Sequence, residues 1–174
     1  MLGRAKPSGG GGGTAAFTRS TVALEEPITV RRARVSELID LRHAVLRQGL
    51  PRSEALFPGD DEPASRHYGA FRDAEALCCA TLHLGEWAGE PAYQLRGMAT
   101  APEARRMGLG KRVMELIERD LRDAGGTLLL WCNARVPAVE FYRSMGYEFV
   151  AASENPDDPR AALWKMAKTL AAGP

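Results

Sequence analysis

The chain has 174 residues, of which 45% are apolar and 26% are charged, the balance of one ordinary globular domain. The formal net charge of +1 excludes a strong overall field, so we expect neither nucleic acid nor an anionic membrane as a partner. No apolar run approaches the roughly 20 residues that cross a bilayer, and the N-terminus lacks the apolar core of a signal peptide.

The first half of the chain predicts a tail followed by a strand, a helix and a loop. Residues 1–26 include five consecutive glycines from Gly9 to Gly13 and predict a disordered tail, with a single domain over residues 27–172. "ITVRRA" predicts the first strand. Ser36 stands at an N-cap position before a helical apolar pattern that stops at Gly49. Prolines and acids predict a loop over residues 51–66.

The second half predicts more strands and two further helices. "HYGAFRD", "ALCCATLHLG" and "AYQLRGMATA" predict three strands, and "PEARRMGLGKRVMELIERDL" predicts an amphipathic helix that ends at Gly125 and Gly126. "TLLLWC" predicts a strand buried on both faces, and "VPAVEFYRSMG" predicts a brief helix. "YEFVAA" and "AALWKMAKTL" predict two last strands. The order β-α-β-β-β-α-β-α-β-β predicts an α+β fold, a mixed sheet with few helices on it.

A glycine-rich turn at the start of the amphipathic helix predicts an anion site. Gly108 and Gly110 allow a ligand to approach the backbone, and the first N–H groups of a helix point outward unpaired. Cations surround the same turn, as Arg105, Arg106, Lys111 and Arg112. The spacing matches neither a Walker A loop nor a complete GxGxxG fingerprint. A phosphate or pyrophosphate site is one reading, and a helix start with solvated arginines is the other.

Two motifs in this sequence resemble the GCN5-related N-acetyltransferases. "ARRMGLG" is similar to the family's R/Q-x-x-G-x-G/A loop, and "AVEFYRSMGYEFV" is similar to its later FY-x-x-x-GF element. Both occur in the family's element order, and the resemblance runs from about Ile28 to Leu170. It implies a central sheet that splays between two parallel strands. It also implies direct transfer of the acetyl group of acetyl-CoA to a primary amine of a small molecule, an amino acid or a protein, without a metal.

The resemblance assigns the cofactor contacts residue by residue. The backbone of Met98, Ala99 and Thr100 is expected to pair with the pantetheine arm. The N–H groups of Arg106, Met107, Gly108, Leu109, Gly110 and Lys111 are expected to hold the pyrophosphate, with Arg105 shaping the loop. Arg135 stands where the family usually has an asparagine, and is expected either to meet the phosphates of the cofactor or to lie exposed. Asn133, on the predicted buried strand, is expected to line the cleft.

The resemblance also implies a residue for the general acid, but it implies none for the general base. Tyr142 stands where the family often has a general acid near the leaving sulfur, and a phenol with a pKa near 10 stays protonated at neutral pH. The alternative is a core aromatic residue. Many relatives carry a carboxylate shortly before the position of Met98, where this chain has Leu95, Arg96 and Gly97. The general base therefore comes from elsewhere, or the amine arrives neutral.

The acceptor side has weaker candidates. The acidic run Asp60, Asp61 and Glu62 follows the first helix, where the family often forms its acceptor wall, and either recognises a cationic amine or is a surface loop. His67 follows it directly and is the histidine to test. Cys132 reads as a buried structural thiol, because no basic partner for a nucleophile lies near it in the sequence.

Three hypotheses follow. The first is an active N-acetyltransferase, the second is a non-catalytic module that senses acetyl-CoA, and the third is a binder of some other anion. The three cysteines have no CxxC spacing, which favours reduced thiols and a cytoplasmic location. The chain is expected to be a monomer or a homodimer.

Overall fold

The computed structural model describes residues 26–126, 129–153 and 162–171. The predicted tail, apart from residue 26, and most of the acidic loop at 153–160 lie outside the described residues. Among the described residues, seven strands form one sheet: β1 (Ile28–Ala33), β2 (Arg66–Arg72), β3 (Glu75–Trp87), β4 (Glu90–Thr100), β5 (Leu129–Arg135), β6 (Glu148–Ser153) and β7 (Leu163–Thr169). The α-helices are α1 (Ile39–Leu46), α2 (Leu109–Ala124) and α3 (Val139–Ser144).

The predicted α+β fold and its order of elements are confirmed. The sheet runs β1-β2-β3-β4-β5-β7-β6, and of its neighbouring strands only β4 and β5 pair in parallel. Their pairing covers Tyr93 with Leu130 and Gln94 with Trp131 and does not continue along either strand. The two strands therefore separate towards their carboxyl ends, which is the splayed sheet that the resemblance implies.

A bulge in β4 lies next to this separation. Gly97 and Met98 together oppose Ala80 of β3, because the register shifts between Cys79 and Thr81. Gly97 has φ +60°, and a Cβ there would lie 2.9 Å from Nε of Arg42. The bulge therefore depends on glycine and turns β4 where it leaves β5.

Helix α2 holds the glycine turn against the sheet. Its apolar face is buried and packs on β1, β2 and β3, and it consists of Leu109, Val113, Met114, Ile117 and Leu121. Gly125 ends the helix with φ +67°, as predicted. The helix begins later than the sequence suggests. Pro102–Ala104 form a separate 3₁₀ turn, and α2 starts at Leu109 after Gly108 at φ +73°.

Two local predictions were wrong. Ser36 does not cap α1. It lies inside a 3₁₀ turn whose Glu37 carboxylate accepts the backbone N–H of Arg34 at 2.7 Å. β5 is not buried on both faces over its described part. Cys132 is buried whereas Asn133 is exposed, because the second face of β5 opens towards a cavity. In the part of the chain that the structure describes, no helix is long and apolar enough to span a membrane.

Candidate active site

A first cavity of about 430 Å³ lies between the end of β4 and the start of α2. The separation of β4 from β5 leaves space for this cavity, and α3 forms one wall of it. Its lining includes most of the residues predicted to bind the cofactor: Met98, Ala99, Thr100, Arg105, Arg106, Gly108, Leu109, Gly110 and Lys111. Met107 is not in the lining, and its side chain is 46% exposed.

The backbone of the glycine turn fits an anion. No side chain caps the first N–H groups of α2, and its first turn carries no acid among the described residues. A Cβ at Gly108 would meet nothing within 4 Å, so the space above this residue is open. A Cβ at Gly110 would lie 3.2 Å from Cε of Met98 and 3.3 Å from the ring of Phe141. Glycine therefore keeps the cavity open at its narrow side.

Positive charge surrounds the same turn. Arg105, Arg106 and Lys111 line the cavity with exposed side chains, and Arg106 has φ +66°, in the left-handed region. The positive end of the α2 dipole adds to these charges. A pyrophosphate is the kind of group that this arrangement stabilises.

A second cavity of about 450 Å³ lies on the other side of Tyr142. Met98, Ala138 and Tyr142 line both cavities, so the two spaces meet at these side chains. The second cavity is bounded by β4, by the carboxyl end of β5 and by the loop after α1. The rest of its lining is Leu46, Arg47, Phe57, Pro58, Gln94, Leu95, Arg96, Gly97, Asn133, Ala134, Arg135 and Leu163.

Tyr142 stands where the two cavities meet. Tyr142 is 7% exposed, and its ring makes edge contacts with the rings of Phe141 and Tyr147 at centroid distances of 5.3 and 5.5 Å. Burial raises the pKa of its phenol well above 10.0. The hydroxyl therefore stays protonated at neutral pH and can serve as a proton donor.

Asn133 and Arg135 were predicted to bind the cofactor, but the structure places both in the second cavity. Both side chains are exposed, so Asn133 does not need the buried partner that the sequence implied. Because β5 has already separated from β4 at these positions, their side chains line the second cavity, across Tyr142 from the glycine turn.

Asp60 was predicted either to meet a cationic amine or to lie in a surface loop, and the structure instead buries it in an ion pair. Asp60 is 2% exposed. Its carboxylate accepts hydrogen bonds from three donors: the Arg42 guanidinium, the Phe57 N–H at 2.9 Å and Nη2 of Arg96 at 3.1 Å. Arg42 is itself fully buried. Asp60 is therefore a structural counter-ion that fixes α1, its following loop and β4.

His67 is also part of this buried network. Its Nε2 donates to the Asp60 carbonyl at 2.9 Å, so its Nδ1 accepts from the hydroxyl of Thr81 at 2.7 Å. Burial lowers the pKa of His67, which keeps the ring neutral. Thr81 in turn accepts a hydrogen bond from Arg42. Both ring nitrogens are occupied, and His67 lines neither cavity.

Asp61 and Glu62 do not reach the second cavity. Both are exposed, and the Glu62 carboxylate lies 3.7 Å from Nδ1 of His83. Cys132 is buried, and burial raises the pKa of its thiol to about 12. This agrees with the interpretation of Cys132 as a structural thiol, since the reactive form is the thiolate.

The sequence did not point to two of the arginines that line the second cavity, Arg47 and Arg96. Arg47 ends α1, and Arg96 lies on β4 beside the bulge. Arg96 was noted only as a missing carboxylate, although its alternation with buried Leu95 puts it on the opposite face of the strand. Phe141, which the sequence did not single out, also lines the first cavity.

The fold and the paired cavities define an N-acyltransferase architecture, and comparisons with known proteins agree. A model of the "Acetyltransferase (GNAT) family" matches residues 34–147. The chain is 28% identical over 127 residues to the uncharacterized N-acetyltransferase YitI of Bacillus subtilis (strain 168), covering 70% of this chain and 83% of that protein. The chain belongs to the acetyltransferase (GNAT) family and is an acetyltransferase.

Solved structures support the same fold. An aminoglycoside 6'-N-acetyltransferase complexed with coenzyme A matches with a TM-score of 0.68 and 15% identity, over 84% of this chain and 99% of that one. The ribosomal-protein-S18-alanine N-acetyltransferase from Escherichia coli matches with a TM-score of 0.66 and 15% identity, over 85% and 97% of the two chains. At these identities the likeness concerns the fold alone.

Proposed function

We propose that this chain transfers the acetyl group of acetyl-CoA directly to the primary amine of a small molecule, an amino acid or a protein. The observation that carries the proposal is the meeting of two cavities at Tyr142, one shaped for an anionic donor and one open to an acceptor. A direct transfer needs both substrates at one point, with a proton donor beside them.

The described residues of the first cavity fit acetyl-CoA, which is a substrate of the reaction. The uncapped N–H groups of the glycine turn and the adjoining cations would hold the pyrophosphate. Met98 faces Ala80 at the bulge rather than pairing residue for residue with β3. The edge of β4 that has left β5 therefore has backbone groups for the amide groups of a pantetheine arm.

The transfer step is a substitution at the thioester carbonyl. The neutral amine nitrogen attacks the carbonyl carbon, a C–N bond forms, and the C–S bond breaks. Tyr142 donates its phenolic proton to the departing sulfur, and the surplus proton of the new amide nitrogen returns to the phenolate through water. Because burial raises the pKa of Tyr142, the phenol carries its proton at the start of this step.

The proposal is tested first by calorimetric titration of acetyl-CoA into the protein. We expect micromolar binding, which Gly108→Glu abolishes by placing a negative charge in the anion site. Gly108→Ala is the matched control. It carries the same left-handed φ strain, and its Cβ meets nothing within 4 Å. Loss of binding in both variants would point to misfolding rather than charge, and absence of binding by the unaltered protein would overturn the proposal.

A second test separates the enzyme from a non-catalytic acetyl-CoA sensor of the same fold. Tyr142→Phe should lower kcat by about 100-fold or more and leave acetyl-CoA affinity unchanged. Undiminished turnover in this variant would remove the proton-donor role. A cytoplasmic location belongs to the same proposal, supported by free thiols at Cys78, Cys79 and Cys132.

A further inference from the structure

The side chains of the second cavity carry one sign of charge. Arg47, Arg96 and Arg135 line it, and its described lining contains no Asp or Glu. Among the described residues, Asp60 is a carboxylate in contact with this wall, and it is shared between Arg96 and the buried Arg42. One carboxylate between these two guanidiniums leaves a net positive charge beside Arg96, and Arg135 adds its own charge to the described lining. Such a wall repels a second cationic group on the acceptor and attracts an anionic one.

Arg96 and Arg135 are also placed to donate hydrogen bonds to a ligand. Arg96 is bound to Asp60 through Nη2, and its Nε is buried without a hydrogen-bond partner among the described residues. Arg47 is held by the protein, because its guanidinium donates to the carbonyls of Glu54 and Leu46 and its central carbon lies 5.0 Å from the centroid of the Phe57 ring. Arg135 is exposed at the end of β5. A planar oxyanion such as a carboxylate matches the forked donors of a guanidinium.

The remaining residues of the lining indicate the chemistry of the rest of the ligand. Gln94 and Asn133 are neutral polar groups, whereas Leu46, Phe57 and Pro58 are apolar. A volume of about 450 Å³ is within the range of small-molecule sites. From the charge, the donors and the size, we infer that the acceptor is a small primary amine that also carries an anionic oxygen group, a carboxylate or a phosphate. This inference rests on the proposed acetyl transfer.

The inference replaces the expectation of a cationic acceptor site at Asp60, Asp61 and Glu62. Asp60 is already neutralised by protein arginines, and the other two side chains lie outside the cavity. A diamine would bring a second positive charge against the arginine wall with no carboxylate of the described lining to receive it. An amino acid would place its anionic group there instead.

The test compares three amines with the same five-carbon chain and similar amine basicity: 5-aminopentanoate, pentylamine and 1,5-diaminopentane. Release of the coenzyme A thiol is followed with a chromogenic disulfide, and kcat/KM is measured for each amine. We expect 5-aminopentanoate to exceed pentylamine by about tenfold or more, since a charge-assisted hydrogen bond contributes on that scale, and 1,5-diaminopentane to be the poorest. Comparing 3-aminopropanoate with 2-aminoethyl phosphate then separates a carboxylate from a phosphate acceptor.

Variants of Arg135 test whether this arginine causes the preference for an anionic acceptor. Arg135→Gln should lower the ratio of kcat/KM for 5-aminopentanoate to kcat/KM for pentylamine by about tenfold, and Arg135→Lys should restore part of that ratio. Arg135→Glu should shift the preference towards 1,5-diaminopentane. Arg119→Gln is the control for net charge, because Arg119 is exposed on α2 and lines neither cavity.

The outcomes separate this inference from the proposed function. Turnover that is equal for the three amines, or highest for 1,5-diaminopentane, would overturn the inference and leave acetyl transfer standing. Binding of acetyl-CoA without thiol release for any of these amines would also overturn it and favour the sensor. If acetyl-CoA does not bind at all, the proposed function fails and the inference fails with it.

Discussion

Asp60→Asn should destabilise the fold rather than alter acceptor recognition. The substitution keeps the shape of the side chain but removes its charge. Arg42, whose side chain has no exposed surface, would then be left without its counter-ion, and Arg96 would lose the same partner. A buried guanidinium without a carboxylate is among the most costly defects that a single substitution creates.

The expected size follows from this burial. Removing one partner of a buried ion pair costs about 3–5 kcal/mol. For a chain of this length, each kcal/mol lowers Tm by about 2–4 °C, so we expect a fall of about 10 °C. The exposed pair between Arg52 and Asp40 provides the matched control. Its side chains are 60% and 83% exposed, and Nε of Arg52 lies 2.7 Å from Oδ1 of Asp40. Asp40→Asn should leave Tm unchanged, because exposed pairs contribute little.

The assay is thermal unfolding followed by circular dichroism, with acetyl-CoA titration at low temperature as the second measurement. Asp60→Asn should retain cofactor binding where it is folded, because Asp60 does not line the first cavity. Adding Arg42→Met should recover part of the lost stability, since it removes the unpaired charge. If Asp60→Asn melts within about 2 °C of the unaltered protein but loses acceptor turnover, the structural role assigned to Asp60 is refuted.

Four further predictions concern Glu37, Gly97, Tyr142 and the amine that is acetylated. The Arg31 hydrogen bond lowers the pKa of Glu37 from 4.5 to about 2, so the stability it contributes is present above pH 4.5 and is lost as the pH falls towards 2; Glu37→Gln should flatten acid unfolding curves in that window. Gly97→Ala should cost about 2 kcal/mol or more in a denaturant titration, because its Cβ would lie 2.9 Å from Arg42 Nε at φ +60°. Turnover should show no loss from Tyr142 ionisation below pH 10.0, because burial raises its pKa. The rising limb of the pH profile of kcat/KM should move with the pKa of the amine used, and a limb fixed for all amines would reveal a protein base.

The order of elements could be predicted because each element has a local signal. Apolar spacing in α2 marked one buried face, and Gly125 marked its end. The glycine turn was predictable for the same reason, since Arg105, Gly108 and Gly110 are close in sequence and act through their own backbone. A local pattern is sufficient where local backbone geometry forms the site.

The acceptor side could not be predicted because it is built from distant residues. Asp60 pairs with Arg42 and Arg96, which are 18 and 36 positions away. In the sequence it stands within an acidic run that reads as an exposed loop. One signal was available, because Arg42 lies beside Leu41 on the apolar side of α1 and therefore required a buried partner. Its identity depended on the tertiary fold.

Arg96 connects two features that the sequence presented separately, a missing base and an unknown acceptor. It lies near the position where many relatives carry a carboxylate, and here it contributes positive charge to the second cavity. Neighbouring cations lower the pKa of an ammonium group, so an amine that enters this cavity loses its proton more easily than in water. The same cations would repel a simple ammonium ion, unless the acceptor brings its own negative charge. In the proposed acceptor, the anionic group pairs with the arginines and offsets this repulsion. Its amine is then driven towards the neutral form only by the positive charge that the pairing leaves.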